Sequence, residues 1–414
     1  MKIRIYNPLF PYPPDEGNML TVFDQACSLA MNHEVELVSW MDSEEEVRER
    51  RERGSPIEVP SSLRLRPLVG PDGQGGGESA WRRIYRSFAD DTASTESHFY
   101  PEWPLRLIRN DAPVDLEIFH HMFAFPWLVK KSRNGSRRRV CMVHDISSRL
   151  YRHRALGARN PLARWYHNHG ADILERHEKG LGDLVDDLWF VSPMEMEWFR
   201  QRYKIPCGRI TSPTFDVKHA QRIRDTFVHS RHAEGPALFG VLGTVQHPPN
   251  LWSAQFVIEK VAPLLAREKF TGIIQIVGKN ARDKLMEAAS PYPFIRVSGF
   301  VPDLGQFWNG LSGMLVPHVG GTGVRMKLLE ALAYGVPVLA NTEAVSRLHE
   351  DLQASPLLSV REDPSEWCKF LVEEKAFERR DKMADIPMPK SLEGKEVYSF
   401  VNKDYLDRIL ILKK

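Results

Sequence analysis

Two doubly wound α/β domains are the fold that this sequence predicts, on three observations. The chain has 414 residues, more than a single hydrophobic core usually serves, which points to two domains. It opens as strand, glycine-containing turn, helix and strand: "KIRIYN", "PPDEGN", "MLTVFDQACSLAMN" and "EVELVSW". A second alternation of strands and helices starts at "ALFGVLG", residues 237–243. Such alternation builds parallel sheets covered by helices.

Composition narrows the class. Apolar residues make up 42% and charged residues 27% of the chain, the balance of an ordinary soluble protein. The four cysteines, Cys27, Cys141, Cys207 and Cys368, are widely separated and form no CxxC pair. That argues against a disulfide framework or a zinc site and fits a reducing compartment. The opening "MKIRIYNPLF" alternates like a strand and is not a signal peptide. No window approaches the roughly 20 apolar residues that cross a bilayer. The expectation is a cytoplasmic protein, with peripheral contact at the inner face of the membrane left open.

The elements follow in order. "DSEEEVRERRERG" reads as a solvated helix. The glycine-rich "VGPDGQGGGES", 69–79, follows no convincing strand and reads as a flexible loop, not a phosphate cradle. Strands are expected at 115–121, 138–145 and 187–192, with a long helix from Pro161 to Lys179 and another over "PMEMEWFRQRY". The polar stretch Val217 to Gly235 reads as the interdomain connection. Beyond the strand at 237–243, one helix is expected over "PNLWSAQFVIEKVAPLLARE", and strands at 272–278, 294–301, 313–318 and 336–340. Helices are expected near 281–289, over "DLGQFWNG" and ahead of the last strand. The predicted domains are 1–215, 216–385, and a helical segment 386–414 free to pack back on the N-terminal domain.

The chemistry concentrates in "VGGTGVRMKLLEALAYGVPVLA", 319–340. In an open α/β sheet, ligands gather at the carboxyl ends of the strands, where helix N-termini face a crevice. The strand "GMLVPH" leads into a glycine turn and a helix whose unpaired N–H groups suit a phosphate. Arg325 and Lys327 add positive charge at the helix end where the dipole disfavours it, and an anionic ligand would resolve that conflict. Glu330 lies among Leu328, Leu329, Ala331 and Leu332. A buried carboxylate needs partners, and the hydroxyls of a ribose would supply them. The competing reading pairs Glu330 with Lys327 on a partly exposed face.

These segments together resemble a known family. "GVLGTVQHPPNLWSAQFVIEKVAPLL", "IIQIVGKN", "IRVSGFVPDL" and "GGTGVRMKLLEALAYGVPVLA" occur in the order and spacing of the donor-binding domain of group 1, family 4 retaining glycosyltransferases. The resemblance implies the GT-B fold, two Rossmann-like doubly wound domains facing a cleft. It is specific over roughly 237–350 and weaker over 1–210. It implies that Glu330 holds the ribose of a nucleotide-sugar. The family's other acidic position is Thr322 here, a departure that bears on sugar identity. Main-chain groups around Gly321, Gly323 and Val324 would serve the sugar and diphosphate. Where many members carry an Arg and a Lys after the first strand of this domain, the chain has Thr244, following Gly243, and Pro249, followed by Asn250. Arg325 and Lys327 are therefore read as the replacement charge for the leaving diphosphate. Phe300 and Val301 would lie near the base.

In the N-terminal domain, "VCMVHD" resembles the family's strand ending in a histidine that faces the donor sugar, which makes His144 the catalytic candidate. Without the resemblance it reads as a strand-end or capping histidine. His120 and His121 are acceptor-side candidates, and Gly17 matches the glycine loop near the reaction centre. Between Lys130 and Arg164 the chain has eleven Lys or Arg and one acidic residue, Asp145. That cluster suits an anionic membrane surface or an acidic lipid-linked acceptor. Solvated surface is the plain alternative, and nucleic acid is not expected, for want of a binding module.

The function expected is transfer of a hexose from a UDP- or GDP-sugar to a saccharide, lipid-linked or other glycoconjugate acceptor, as in cell-surface polysaccharide synthesis. The resemblance implies retention and no required metal or cofactor, and no D-x-D triplet occurs. A nucleotide-sugar 2-epimerase and a non-catalytic GT-B sugar or nucleotide binder are the alternatives. A nicotinamide-dependent oxidoreductase is weaker, because G-x-G-x-x-G is absent after both opening strands.

Overall fold

In a computed structural model of the protein, the described residues are 1–14, 17–55, 57–70, 91–133, 135–205, 208–229, 236–245, 248–279, 283–301, 304–318, 323–373 and 386–412. They form two compact units, Met1–Thr214 with Gly394–Lys414, and Phe215–Glu393. Each unit is a parallel sheet with helices in the crossovers. Among the described residues no helix is long and apolar enough to cross a membrane.

The first unit holds β1 (Lys2–Asn7), β2 (Glu34–Met41), β3 (Leu63–Val69), β4 (Leu116–His120), β5 (Arg138–Val143), β6 (Asp187–Phe190) and β7 (Arg209–Ile210). Their order is β3-β2-β1-β4-β5-β6-β7, with every pairing parallel. The inner strands are buried on both faces, as a sheet covered twice requires. The order reverses between β1 and β4, which puts the ligand-binding switch point at their carboxyl ends. Beneath it Tyr6 stacks on Phe119 at 4.6 Å, and Trp127 bonds the carbonyls of Tyr100 and Pro101.

Sequence and structure differ at the edges. A strand does precede the glycine-rich segment: β3 is an edge strand whose Arg64 and Arg66 approach Glu36, and whose Pro67 is tolerated there. Its charged alternation hid it. The glycine-rich loop lies almost wholly outside the described residues. The long helix runs Pro161–Leu184, past its expected end. The basic cluster is split by burial. Lys131 and Arg139 are buried against Glu117 of β4, at 2.6 and 2.8 Å, and Arg138 donates to the Leu406 carbonyl. All three cations are structural: the buried Glu117 carboxylate needs Lys131 and Arg139, and Arg138 satisfies a backbone carbonyl of the final helix. The final helix Lys403–Leu412 joins this unit through Tyr405, which donates to Asp187 and accepts from Trp189.

The second unit holds β8 (Leu238–Leu242), β9 (Ile273–Val277), β10 (Ile295–Gly299), β11 (Gly313–Val316), β12 (Val338–Ala340) and β13 (Leu358–Val360), in the order β10-β9-β8-β11-β12-β13. Its switch point falls between β8 and β11. The stretch read as a connection is mostly a helix, Val217–His229, belonging to this unit. Its polar sequence conceals a buried stripe of Ala220, Ile223 and Arg224. The helix read as continuous through 249–268 is interrupted by a π turn at Val257–Val261. Pro263 follows, and proline supplies no N–H to the preceding turn.

Candidate functional site

The second unit assembles its polar groups at the carboxyl ends of β8 to β11. Backbone bonds tie the loops there: Gly243 N–H to the Val277 carbonyl at 2.9 Å, and Gly278 N–H to that of Gly299 at 2.7 Å. A Cβ at Gly278 would stand 1.9 Å from the Gly243 carbonyl oxygen, so only glycine allows this crossing. Gly243 itself has φ 147°, and a Cβ there would meet the Asn250 side chain. Asn250 donates to the Thr244 carbonyl at 3.1 Å.

The helix Met326–Ala333 starts directly beyond, with Arg325 at its N-cap. Its far end is fixed by Arg224, which donates to the carbonyls of Ala333 and Leu332 at 2.9 and 3.1 Å. A cation at a helix C-terminus satisfies orphan carbonyls and complements the dipole. Lys327 is only 8% exposed, and its Nζ donates to the Leu242 carbonyl at 2.8 Å and to Asn250 Oδ1 at 3.1 Å. Both acceptors are neutral, and among the described residues one ammonium N–H is left over. Burial, reinforced by Arg325, brings its pKa down to about 7.

Glu330 is likewise 8% exposed. Burial pushes its carboxyl up to about 7, against the opposing pull of Lys327. No hydrogen bond reaches this carboxylate among the described residues. The reading of Glu330 as a partner of Lys327 on an exposed face therefore fails: the face is buried, and Lys327 bonds elsewhere. Leaving a buried charge without hydrogen bonds costs several kcal/mol, a strain that a ligand's hydroxyls would relieve.

Arg325 donates from Nε to Nδ1 of His318 at the end of β11. His318 is held by two hydrogen bonds with Asn341: its backbone N–H donates to Oδ1 and its carbonyl accepts from Nδ2, each at 2.9 Å. Burial, then Arg325, Arg347 and Lys327, lower its pKa to about 2. The neutral ring thus aims Arg325 without competing for charge. The sequence reading missed His318, although its place ending "GMLVPH" was visible. It also missed Lys279, whose Nζ lies 5.5 Å over the ring of Phe300. Phe300 is exposed and Val301 half-buried after β10. Gly323 and Val324 precede the helix, whereas Gly321 and Thr322 lie outside the described residues.

The first unit carries a different cluster. His120 ends β4, and β5 beside it leads to His144, with His120 Nδ1 and His144 Nε2 2.9 Å apart. His120 Nε2 is 2.8 Å from Gln25 Oε1, while Gln25 Nε2 is 3.0 Å from both the Tyr398 hydroxyl and Met142 Sδ. An amide oxygen only accepts, so His120 carries its proton on Nε2. His144 then donates from Nε2 to His120 Nδ1, leaving its own Nδ1 as an acceptor. His121 stacks on His144 at 4.2 Å, with φ 69° and its N–H on the Met142 carbonyl. Burial keeps all three rings neutral; His121 falls to about 4, and neighbouring histidines lower the other two further. Gly17 begins the helix Gly17–Ala30, which supplies Gln25. Gln25 and Tyr398 carried no signal in the sequence.

Among the described residues no group of three or more His, Cys, Asp or Glu is placed to hold a metal. Residues 236–373 match the family described as glycosyl transferases group 1. The chain carries a group 1 glycosyltransferase domain. It is a transferase, and its two parallel sheets have the GT-B fold. No curated protein matches it in sequence. Among solved structures, this glycosyltransferase is similar to WaaG, a glycosyltransferase involved in lipopolysaccharide biosynthesis, at 14% identity over 99% of each chain with a TM-score of 0.59. Sucrose-phosphate synthase from Thermosynechococcus elongatus gives 14% identity over 100% of each chain, TM-score 0.60. HepE of Anabaena, solved with UDP and glucose, gives 12% identity over 100% of this chain and 99% of its own, TM-score 0.55.

Proposed function

We propose that the protein transfers a hexose, with retained configuration and without a metal, from a UDP- or GDP-sugar to a saccharide or lipid-linked acceptor on the cytoplasmic side of a membrane. The observation that carries this reading is Glu330, a buried carboxylate without a hydrogen bond among the described residues, one helical turn from the cation Lys327. A ribose would offer the two hydroxyl donors that the carboxylate lacks. The diphosphate beside it would take the spare N–H of Lys327 and the guanidinium of Arg325. The Lys327 ammonium reaches Asn250, one residue past the position where many relatives carry a lysine. This supports the view that Lys327 replaces it from another element.

In the reaction, the bond from the anomeric carbon to the diphosphate breaks as the acceptor hydroxyl attacks on the same face. The hydroxyl proton passes to the leaving diphosphate. Arg325 and Lys327 stabilise the charge that builds there, and such preorganised groups are worth about a hundred- to thousandfold in rate. By the family resemblance, His144 is the candidate to accept a hydrogen bond from a sugar hydroxyl at its Nδ1. UDP bound by HepE supports the choice of donor class.

A thermal-shift screen over UDP, GDP and their sugars tests the reading, because a ligand of the folded state raises the melting temperature by mass action. The expected result is a shift with one nucleoside diphosphate that Glu330→Ala abolishes. Nucleotide release that requires an acceptor would separate transfer from 2-epimerisation. Binding without turnover for any acceptor would favour the non-catalytic binder.

A further inference from the structure

From Ser147 to Ala171 the chain carries five arginines and no Asp or Glu. The structure folds this stretch into a helical hairpin, Ser147–Gly157 and the start of Pro161–Leu184. The two helices close tightly: a Cβ on Gly170 would meet the Tyr151 ring at 2.7 Å. Asn160 caps the second helix by accepting from the Leu162 N–H at 2.9 Å. The turn is therefore a built feature, and what it exposes is unusual. Leu156 is 80% exposed, Leu162 75% and Trp165 52%. Leu162 and Trp165 stand three residues apart on one helical face, and Leu156 ends the helix before it.

The arginines divide into two sets. Arg149 lies over Trp198 at 5.5 Å, and Arg152 pairs with Asp172 and Glu175. Arg154, which lies over the Tyr151 ring at 5.3 Å, Arg159, and Arg164, which donates to the Ala158 carbonyl at 3.1 Å, are exposed at the same end as the apolar trio. Among the described residues none of these three forms an ion pair.

We propose that the turn end of this hairpin docks the protein on an anionic lipid bilayer. Leu156, Leu162 and Trp165 enter the headgroup layer, and Arg154, Arg159 and Arg164 meet the lipid phosphates. Large apolar side chains ringed by arginines are costly in water and favourable at a charged interface, where Trp prefers the headgroup level and Arg stems lie along apolar surface. A second copy of the chain is a poor occupant, because two such surfaces would bring like charges together. Of the basic cluster at 130–164, the structure thus keeps only the hairpin end for lipid, since Lys131, Arg138 and Arg139 are internal. The surface does not depend on the donor reading and stands or falls separately.

The test is co-sedimentation of the full chain with phosphatidylglycerol–phosphatidylcholine vesicles against phosphatidylcholine alone. Binding is expected for the anionic vesicles and to weaken with salt. Each arginine contributes roughly fivefold near a charged surface, so R154Q/R159Q/R164Q should lose about a hundredfold. L156S/L162S/W165S should lose about tenfold or more even at low salt. All six residues are exposed, so folding should persist, with circular dichroism as the check. Equal binding to both vesicles, no binding to either, or variants that bind like the parent would overturn the proposal. So would a dimer, seen by sedimentation velocity without vesicles, that the apolar variant dissociates.

Discussion

The carboxyl ends of the two sheets solve opposite problems. At the first, His120, His144, Gln25 and Tyr398 satisfy one another, and burial keeps the rings neutral. At the second, Lys327 and Glu330 are buried too, yet among the described residues the carboxylate has no hydrogen bond and the ammonium has a donor to spare. A satisfied polar cluster stabilises the fold and positions a group. An unsatisfied one holds the protein in a costly state that a ligand can relieve. The second region is the better place for binding energy to become function, and the first is the better scaffold.

Substitutions should separate the two regions. The largest effect is expected for Lys327→Met, which should lower kcat by about a hundred- to thousandfold with the fold intact; steady-state kinetics with the donor found by thermal shift would measure it. A change below tenfold would remove Lys327 from the leaving-group site. Glu330→Gln should weaken nucleoside diphosphate binding about ten- to a hundredfold, the value of two hydrogen bonds to a charged group, as read by calorimetry. The same variant should be more stable than the parent. A carboxyl raised from 4.5 to about 7 by folding gives full stability below 4.5 and loses it as pH passes 7. The gain in the variant should thus reach about 3 kcal/mol above pH 7 and vanish below about 4.5; denaturant melts at the two ends check it. The charge bookkeeping at the first sheet runs the other way: Gln25→Leu leaves His120 without its acceptor and should cost about 1–3 kcal/mol of stability.

Affinity for the nucleoside diphosphate should peak near pH 7. It falls at higher pH as Lys327, lowered to about 7, gives up its proton, and at lower pH as Glu330 gains one. Lys327→Met should erase the alkaline limb alone, and calorimetry in buffers of different ionisation heat should show proton uptake on the alkaline side. The smallest expected effect is for Tyr398→Phe. It loosens Gln25 and, through His120, the aim of His144, for about a tenfold fall in kcat/KM with little change in nucleotide affinity. Equal losses in both would mean that the relay is structural only.

How much of this was legible in the sequence follows from how local each feature is. The helix carrying Glu330 could be read from its glycines and apolar run within some twenty residues. So could the inner strands, whose burial on both faces writes continuous apolar runs. The edge strand β3 could not, because half-exposed positions admit arginine and proline, and these read as loop. The helix Val217–His229 was hidden because its buried stripe includes Arg224, whose partners lie more than a hundred residues on. Lys131 and Arg139 read as surface charge until Glu117 of the adjacent strand was seen between them.

By itself, then, the sequence determined the alternation of strands and helices and the helix that carries Lys327 and Glu330 at the carboxyl end of a strand. These follow from side-chain periodicity and backbone preference, which act over a few residues; the strand orders that set the two switch points came from the structure. Only the tertiary structure decided that Glu330 is left without a hydrogen bond among the described residues, that His144 is aimed through His120 and Gln25, and which arginines of the basic cluster face outward. Each of those depends on what a distant segment places alongside, and the energy of a buried or exposed charge is set by that neighbour.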